Sequence, residues 1–453
     1  MFKKILIANR GDIALRIHRA CRDLNISTVA VHSTADSEAM HVRLADESVC
    51  IGPPQSSRSY LNMQAIIAAA LLTNSDAIHP GVGFLAENAE FADIVNDHGI
   101  TFIGPSSKHI RTMGDKITAK FTAEKIGLPL VPGSKGKIKN LEHARIEIKK
   151  IGYPVILKAA AGGGGKGMKV VNNQTELEES FNIAKNEAKM FFGNDTIYIE
   201  KYLQKPRHIE VQILADKFGN VIHLGERECS IQRRHQKLLE ETPAPNLSLK
   251  ERNYIGEVSS KAMKKLGYLG LGTIEYLYEN NSFYFIEMNT RVQVEHPITE
   301  IVTGIDLLIE QIKIASGNRL NLEQKNIKFS GHAIECRINA ENSHTFVPSP
   351  GKIKTYHPSG GPGVRIDSIV YQGYNIPPFY DSLIAKLIVF SNDRKTCISR
   401  TKRALEEFII EPIDTTLDLH KEILSHKDII EGNYSIKWLE EIFLPQNTYN
   451  FKN

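Results

Sequence analysis

Two aromatic and β-branched runs, Gly-Thr-Ile-Glu-Tyr-Leu-Tyr at 272 to 278 and Phe-Tyr-Phe-Ile-Glu-Met-Asn at 283 to 289, are separated only by Glu279-Asn280-Asn281-Ser282, a turn composition. This commits the middle of the chain to a β-hairpin. The second strand runs directly into Glu287 to His296, Glu-Met-Asn-Thr-Arg-Val-Gln-Val-Glu-His, which sets two carboxylates, side-chain amides, a guanidinium and a histidine within ten residues. An ordinary core strand does not carry that much polar chemistry. Pairing symmetric about Asn281 puts Glu275 opposite Glu287, and the period of two adds Asn289 to the same face. Facing carboxylates at roughly 5 Å repel. A divalent cation resolves the conflict, and oxygen ligands suit magnesium or manganese, which also carry substrate phosphates. The plainer alternative is a strand face with solvated glutamates.

The chain of 453 residues suffices for two or three domains. Its 56 lysines and arginines against 52 acidic residues leave a net charge of only +4, which gives no electrostatic case for nucleic acid as the main partner. The basic cluster Arg233-Arg234-His235-Gln236-Lys237 is short and flanked by Cys229-Ser230-Ile231 and Leu238-Leu239, so it reads as pocket lining. Five cysteines (21, 50, 229, 336 and 397) form no C-x-x-C pair, suggesting neither zinc site nor disulfide framework and fitting a reducing cytoplasm. The apolar run after Lys3-Lys4 is too short for a signal peptide, and no segment approaches the roughly 20 apolar residues of a membrane span.

In chain order, Ile5 to Ala8 predicts a buried strand, Asn9 to Asp12 a turn, and Ile13, Leu15, Ile17 and Ala20 a helix. Strand and helix then alternate through Ser27 to His32, Ala77 to His79 and Thr101 to Pro105, as in an open α/β sheet. No G-x-G-x-x-G follows the first strand, so dinucleotide binding is not supported. The loop His79 to Asn88 reads equally as a connection or a substrate rim. A helix from Met113-Gly114-Asp115-Lys116 ends at Gly127, and Leu128 to Gly133 reads as a linker. Tyr153 to Lys158 predicts a strand ending on lysine, followed by a loop with five glycines in six positions, 162 to 167. Such a loop lets backbone amides approach phosphate oxygens, with Lys158 and Lys166 supplying charge, and can close over a nucleotide as a lid; a flexible hairpin tip is the other reading. Ile197 to Leu203 is a strand leading into Gln-Lys-Pro, whose backbone could read an adenine edge or simply link domains. His208 to Leu214 alternates as a half-buried strand, on which His208 alone is more often a satisfied polar edge than a ligand.

The glycine loop with Lys158, the strand at Glu200 to Leu203, Glu226 to Lys237, the Glu275/Glu287 pair and Glu287 to His296 together resemble the ATP-grasp enzymes. More narrowly, their order and spacing resemble the biotin carboxylase family over nearly the whole chain, including Asn9-Arg10-Gly11, Met113 to Lys116 and Glu335-Cys336-Arg337-Ile338-Asn339-Ala340-Glu341. The resemblance implies an α/β fold, α+β overall: an open α/β N-terminal domain at 1–113, an ATP-grasp domain at 114–327 with a mobile glycine-rich lid at about 131–203, a mixed C-terminal domain at 328–446 and a tail at 447–453. It implies ATP contacts from Lys116, Lys158, Gly164, Gly165, His208 and Gln232, with Glu200, Lys201, Tyr202 and Leu203 holding adenine. Glu275, Glu287 and Asn289 would bind magnesium or manganese, and His235, Lys237, Arg291, Gln293 and Val294 would line the bicarbonate pocket. Glu295 would be the base and Arg337 would meet biotin, with Arg291 and Lys237 also in the catalytic set.

The implied reaction is ATP-dependent carboxylation of biotin by bicarbonate through carboxyphosphate, the first half-reaction of acetyl-CoA carboxylase in fatty acid synthesis; the alternative is the same subunit of a pyruvate or other acyl-CoA carboxylase. No biotinyl or transferase domain is recognisable, so biotin would arrive on a carrier protein that works with carboxyltransferase subunits, and the family implies a homodimer. Ala262-Met263-Lys264-Lys265 reads as helix rather than as a biotinylation site. Several positions depart from the family pattern: Val82 stands for tyrosine, Ala86 for serine, Ala161 for glycine, Lys166 for arginine, and Pro362 where an aromatic often helps the dimer contact.

Overall fold

The computed structural model describes residues 1–134, 136–159, 168–192 and 195–448. The chain divides into two compact units, the first Met1–Leu128, Arg207–Leu277 and Ile286–Asn453, the second Pro129–Pro206 with Tyr278–Phe285.

The first unit opens with a parallel sheet. Strands β1 (Lys4–Ile7), β2 (Ser27–Ser33), β3 (Glu47–Gly52), β4 (Ala77–His79) and β5 (Thr101–Phe102) lie in the order β3-β2-β1-β4-β5, the open α/β arrangement expected. Helix α1 (Gly11–Asp23) follows β1 and starts on Gly11 at φ 75°, a conformation glycine adopts without a Cβ penalty. It buries the expected Ile13, Leu15, Ile17 and Ala20, but also Arg16 and His18. Arg16 is tolerated because Glu300 and Asp306 neutralise it at 2.8 and 2.5 Å. Helix α2 (Lys116–Ile126) is capped by Asp115, whose Oδ1 accepts from Thr118 N at 2.8 Å, and ends on Gly127 at φ 94°.

The largest sheet contains β9 (Arg207–Ala215), β10 (Val221–Arg233), β11 (Gln236–Thr242), β12 (Gly270–Glu279), β13 (Ser282–Asn289), β14 (His332–Asn339), β15 (Val364–Ser368) and β16 (Leu383–Ser391), in the order β13-β12-β9-β10-β11-β14-β16-β15. Strand β9 corrects the half-buried expectation: all nine of its residues are buried. Its polar positions survive there because Glu210 and Gln212 both receive hydrogen bonds from Arg227 of β10, itself fully buried. Residues 262 to 265 lie in helix α3 (Leu249–Leu266), as read from the sequence. Helix α4 (His296–Thr303) follows the polar stretch, and α5 (Arg394–Glu407) and α6 (Leu417–Ser425) pack their apolar faces into the C-terminal core with Ile338, Leu387 and Trp438.

The second unit holds the antiparallel sheet β6 (Val155–Ala159), β7 (Met168–Val171) and β8 (Ile197–Lys201), in the order β7-β6-β8. Ile138, Val155, Leu157, Val171, Phe181 and Ile199 form its core. Gly164, Gly165 and Lys166 lie outside the described residues, as does Ala161. No described helix is long and apolar enough to cross a membrane.

Candidate active site

The hairpin closes on a tighter turn than a pairing centred on Asn281 requires. Asn280 and Asn281 both have positive φ, 51° and 59°, as a two-residue type I′ turn demands, so the turn is centred between them. An unbroken ladder from that turn would put Glu275 opposite Ile286. Instead the burial alternation of β13 breaks over Ile286 to Asn289, leaving Glu287 exposed, while Asn289 Nδ2 donates to Glu275 Oε1 at 2.8 Å.

Glu275 is surrounded by donors. Its Oε1 accepts from Asn289, from Gln293 Nε2 at 2.9 Å and from Lys237 Nζ at 2.9 Å. His208 Nε2 stands 2.9 Å from Oε2, within ion-pair reach but off the line of a hydrogen bond. Burial pushes this carboxyl up, but Lys237 and His208 prevail and hold it far below the usual carboxylate range. Glu287 is driven the other way: although the residue as a whole is exposed, its carboxyl is raised by lost hydration and by the Glu275 charge, with Lys116 opposing.

Lys237, at the start of β11, is the hub. Its ammonium contacts Glu210 Oε2 at 2.6 Å and Glu295 Oε1 at 2.6 Å as well as Glu275. Burial alone would lower an ammonium, yet Glu210, Glu275 and Glu295 raise it well above its ordinary value. Glu295 immediately precedes α4 and is fully buried; its second oxygen accepts from Arg337 Nη2 at 2.9 Å. Burial pushes Glu295 up, but Lys237, Arg337 and Arg227 hold the carboxyl well below the usual range. Arg337, on β14, also donates from Nε to Glu240 Oε1 at 2.6 Å.

The loop His79 to Asn88 meets the polar stretch through Glu87. Its Oε2 accepts from Arg291 Nε at 2.8 Å and its Oε1 from Thr290 N at 3.0 Å, so this loop orients the polar stretch. The loop is fastened by Asn9, whose Nδ2 donates to Pro80 O and Val82 O at 2.7 and 2.8 Å. A Cβ on Gly81 would lie 2.8 Å from that nitrogen. Val82 packs partly buried against the first-unit core. Arg291 also donates to Gln293 Oε1 at 3.0 Å and Asn289 Oδ1 at 3.1 Å, and Val294 O accepts from Lys386 Nζ at 2.8 Å.

The remaining first-unit residues are more dispersed. Lys116 is exposed at the first residue of α2. Gln232 is buried in register with Lys237, while His235 is exposed in the β10–β11 turn at φ 65°. In the second unit, Lys158 Nζ contacts Glu200 Oε2 at 2.5 Å, and Lys201 Nζ donates to Tyr153 O at 2.7 Å. Tyr202 N donates to Pro154 O at 3.1 Å, and Leu203 is buried.

Four residues that the sequence reading did not select join this array: Glu87, Glu210, Arg227 and Glu240. Glu210 had a signal in its place two residues after His208, on the same strand face, and Arg227 in its place between two glutamates. Glu87 and Glu240 had none, since their partners are distant in sequence.

Residues 1–110 match the model of the biotin carboxylase N-terminal domain, 115–323 that of the carbamoyl-phosphate synthase L chain ATP binding domain, and 335–441 that of the biotin carboxylase C-terminal domain. A biotin carboxylase from a Nostoc species is 57% identical over 97% of this chain and 99% of its own. A pyruvate carboxylase subunit from Methanothermobacter thermautotrophicus is 51% identical over 97% and 90%. Among solved structures, the Campylobacter jejuni biotin carboxylase in complex with β,γ-ATP aligns with a TM-score of 0.87 and 51% identity over 97% of this chain and 98% of that one. The biotin carboxylase domain dimer of Hydrogenobacter thermophilus 2-oxoglutarate carboxylase, with MgADP, ADP and bicarbonate, aligns at 0.85 and 48% over the same shares.

Proposed function

The chain belongs to the biotin carboxylase family, ATP-dependent ligases, and on that premise we propose that it carboxylates biotin on a separate carrier protein as the first half-reaction of acetyl-CoA carboxylase in fatty acid synthesis. The observation that carries this reading is Glu295, a fully buried carboxylate held between Lys237 and Arg337. It is ionised at neutral pH and so able to accept a proton; drawing either cation toward substrate strengthens it as a base.

Glu295 would take the proton of bicarbonate as a bicarbonate oxygen attacks the γ-phosphorus of ATP, with ADP leaving and carboxyphosphate formed. Arg291 and Gln293 would orient the bicarbonate, with Val294 and His235 completing the pocket, and Lys237 would offset the developing charge. Carboxyphosphate breaks to CO₂ and phosphate; the phosphate would take the ureido N–H proton of biotin, and the deprotonated nitrogen attacks the CO₂. Arg337 would steady the negative charge on the ureido oxygen, a task suited to a permanently charged planar fork.

For nucleotide we assign Lys116, His208 and Gln232 in the first unit; in the second, Lys158 for phosphate and Glu200 to Leu203 for adenine. Gly164 and Gly165 join them on sequence grounds. The first unit offers a donor set that fits a divalent cation: the carboxyl of Glu287 feels the negative charge of Glu275, and Asn289 bonds Glu275, so three oxygen-bearing side chains come together. Glu275, Glu287 and Asn289 would hold the ion, which when bound neutralises phosphate charge. The reading includes three domains at 1–113, 114–327 and 328–446, a cytoplasmic homodimer, and carboxyltransferase partners. A dimer bound to magnesium, ADP and bicarbonate among the related structures supports it. A second reading, the corresponding subunit of a pyruvate or other carboxylase, is favoured by the Methanothermobacter relative and differs in partners. The test is ATP cleavage by the full chain with magnesium: the proposal requires stimulation by bicarbonate and again by biotin, and loss of bicarbonate stimulation would overturn it. Co-purification with an acetyl-CoA rather than a pyruvate carboxyltransferase separates the two readings.

A further inference from the structure

Glu240 of β11 and Glu335 of β14 are direct cross-strand partners, and both are fully buried. Like charges directly opposite one another destabilise a ladder even at a surface. Glu240 Oε1 accepts from Arg337, but among the described residues Glu240 Oε2 and both oxygens of Glu335 have no hydrogen-bond partner. The nearby cations leave these three atoms uncovered. Lys386, on β16, gives its ammonium to Val294 O at 2.8 Å and Asp12 Oδ2 at 3.0 Å. Lys237 is bound to Glu210, Glu275 and Glu295, and Arg337 to Glu240 and Glu295. Two adjacent buried carboxylates with three orphaned acceptor atoms are costly; one proton between them turns one orphan acceptor into a donor for another.

We propose that Glu335 is a carboxylic acid at neutral pH that donates a hydrogen bond to Glu240 Oε2, and that this acid–carboxylate pair is the device that positions Arg337. The role given to Arg337 rests on the function proposed above. When Glu295 accepts the proton of bicarbonate it loses its charge, and its hold on Arg337 weakens; Glu240, kept ionised on its other oxygen, retains the guanidinium at Nε. The charges facing the pair agree. Burial drives Glu335 well above its ordinary range, with Lys386 and Arg337 opposing and Glu240 and Glu295 adding to the rise. Burial likewise pushes Glu240 up to about 7, with Arg337 and Lys237 opposing and Glu295 adding. The thiol of Cys336 is neutral, raised far up by burial.

The pair is tested in the full chain by infrared spectroscopy and by two activities measured between about pH 6 and pH 10, where a raised carboxyl titrates. The wild type is expected to show a protonated-carboxyl C=O band that Glu335→Gln removes. Glu335→Gln, whose amide is a permanent donor, should keep biotin carboxylation within about threefold and sustain it to higher pH than the wild type, which loses the shared proton. Glu335→Leu leaves Glu240 without a donor and should lower biotin carboxylation about tenfold or more, with bicarbonate-dependent ATP cleavage nearly unchanged. Glu240→Gln should raise the KM for biotin more than it lowers kcat for ATP cleavage. A band unchanged in Glu335→Gln, or an alkaline limb identical to that of the wild type, overturns the proposal. The infrared band is read without turnover, so it judges the pair even if wild-type ATP cleavage ignores bicarbonate, the result that would overturn the function instead.

Discussion

Lys237 Nζ and Glu295 Oε1 lie 2.6 Å apart, and this contact does more than any other to set the state of the proposed base. Burial alone would push Glu295 up; Lys237 is the largest influence holding it down. Lys237→Gln should therefore raise the carboxyl, and since only the ionised form accepts a proton, the acid limb of kcat moves to higher pH. Turnover should fall by about 10² to 10⁴, the range for a misplaced general base. A pH profile with an unmoved acid limb would exclude Lys237 from tuning Glu295.

Arg291 spends its guanidinium on Glu87, Gln293 and Asn289 at once. A lysine cannot present three donors in one plane, so Arg291→Lys should be nearly as impaired as Arg291→Ala, with turnover down by about 10² or more and ATP affinity little changed. Glu87→Gln keeps the shape but removes the charge, and should raise the KM for bicarbonate about tenfold. Initial-rate measurements against each substrate distinguish these effects; Arg291→Lys at wild-type turnover would discard the planar-fork argument.

Glu275 is the most heavily coordinated carboxylate of the array. Glu275→Gln retains the size and one acceptor oxygen but drops the charge, so half-saturation by magnesium should shift upward by about tenfold. A titration of ATP cleavage against magnesium checks this, and coincident curves would count against Glu275 as a ligand.

Glu241 forms a separate buried network with His332 at 2.7 Å, Arg394 at 2.7 Å and the Tyr434 hydroxyl. Burial would raise its carboxyl, but His332 and Arg394 outweigh it and bring it to about 2. The folded value lies below the unfolded one, so the network's stabilisation is complete above the unfolded carboxyl range and fades as pH falls from about 5 toward 2. It amounts to about 3 kcal/mol at neutral pH. Denaturant midpoints should therefore fall more steeply with acid in the wild type than in Glu241→Gln; parallel curves would refute the linkage.

The alternating β-α pattern of the first hundred residues, the helix ending at Gly127 and the 272–289 hairpin were legible because their signals are local: apolar runs, period and turn chemistry. The helix start was read too early, since Met113 and Gly114 close the preceding helix and Asp115 caps the next. The polar stretch after the hairpin was legible because so many charged groups do not sit on a core strand without partners. Register was not. The type I′ turn is centred between Asn280 and Asn281, a half-residue step that composition alone does not fix, and the burial alternation of β13 then breaks over Ile286 to Asn289. The reading of β9 as half-buried went wrong for a related reason: alternation shows two different faces, but a buried face can be polar when an arginine such as Arg227 covers it.

By itself, the sequence determined which strands and helices form and which residue types carry the chemistry, because those depend on neighbours a few positions away. Only the tertiary structure decided which charges meet. Lys237 touches Glu210, Glu275 and Glu295, which are 27, 38 and 58 positions distant. Glu240 faces Glu335 only because β11 and β14 pair in one register. Side-chain period assigns a residue to a face, but the partner across that face is chosen by strand order and register, and those are settled by the packing of the whole sheet.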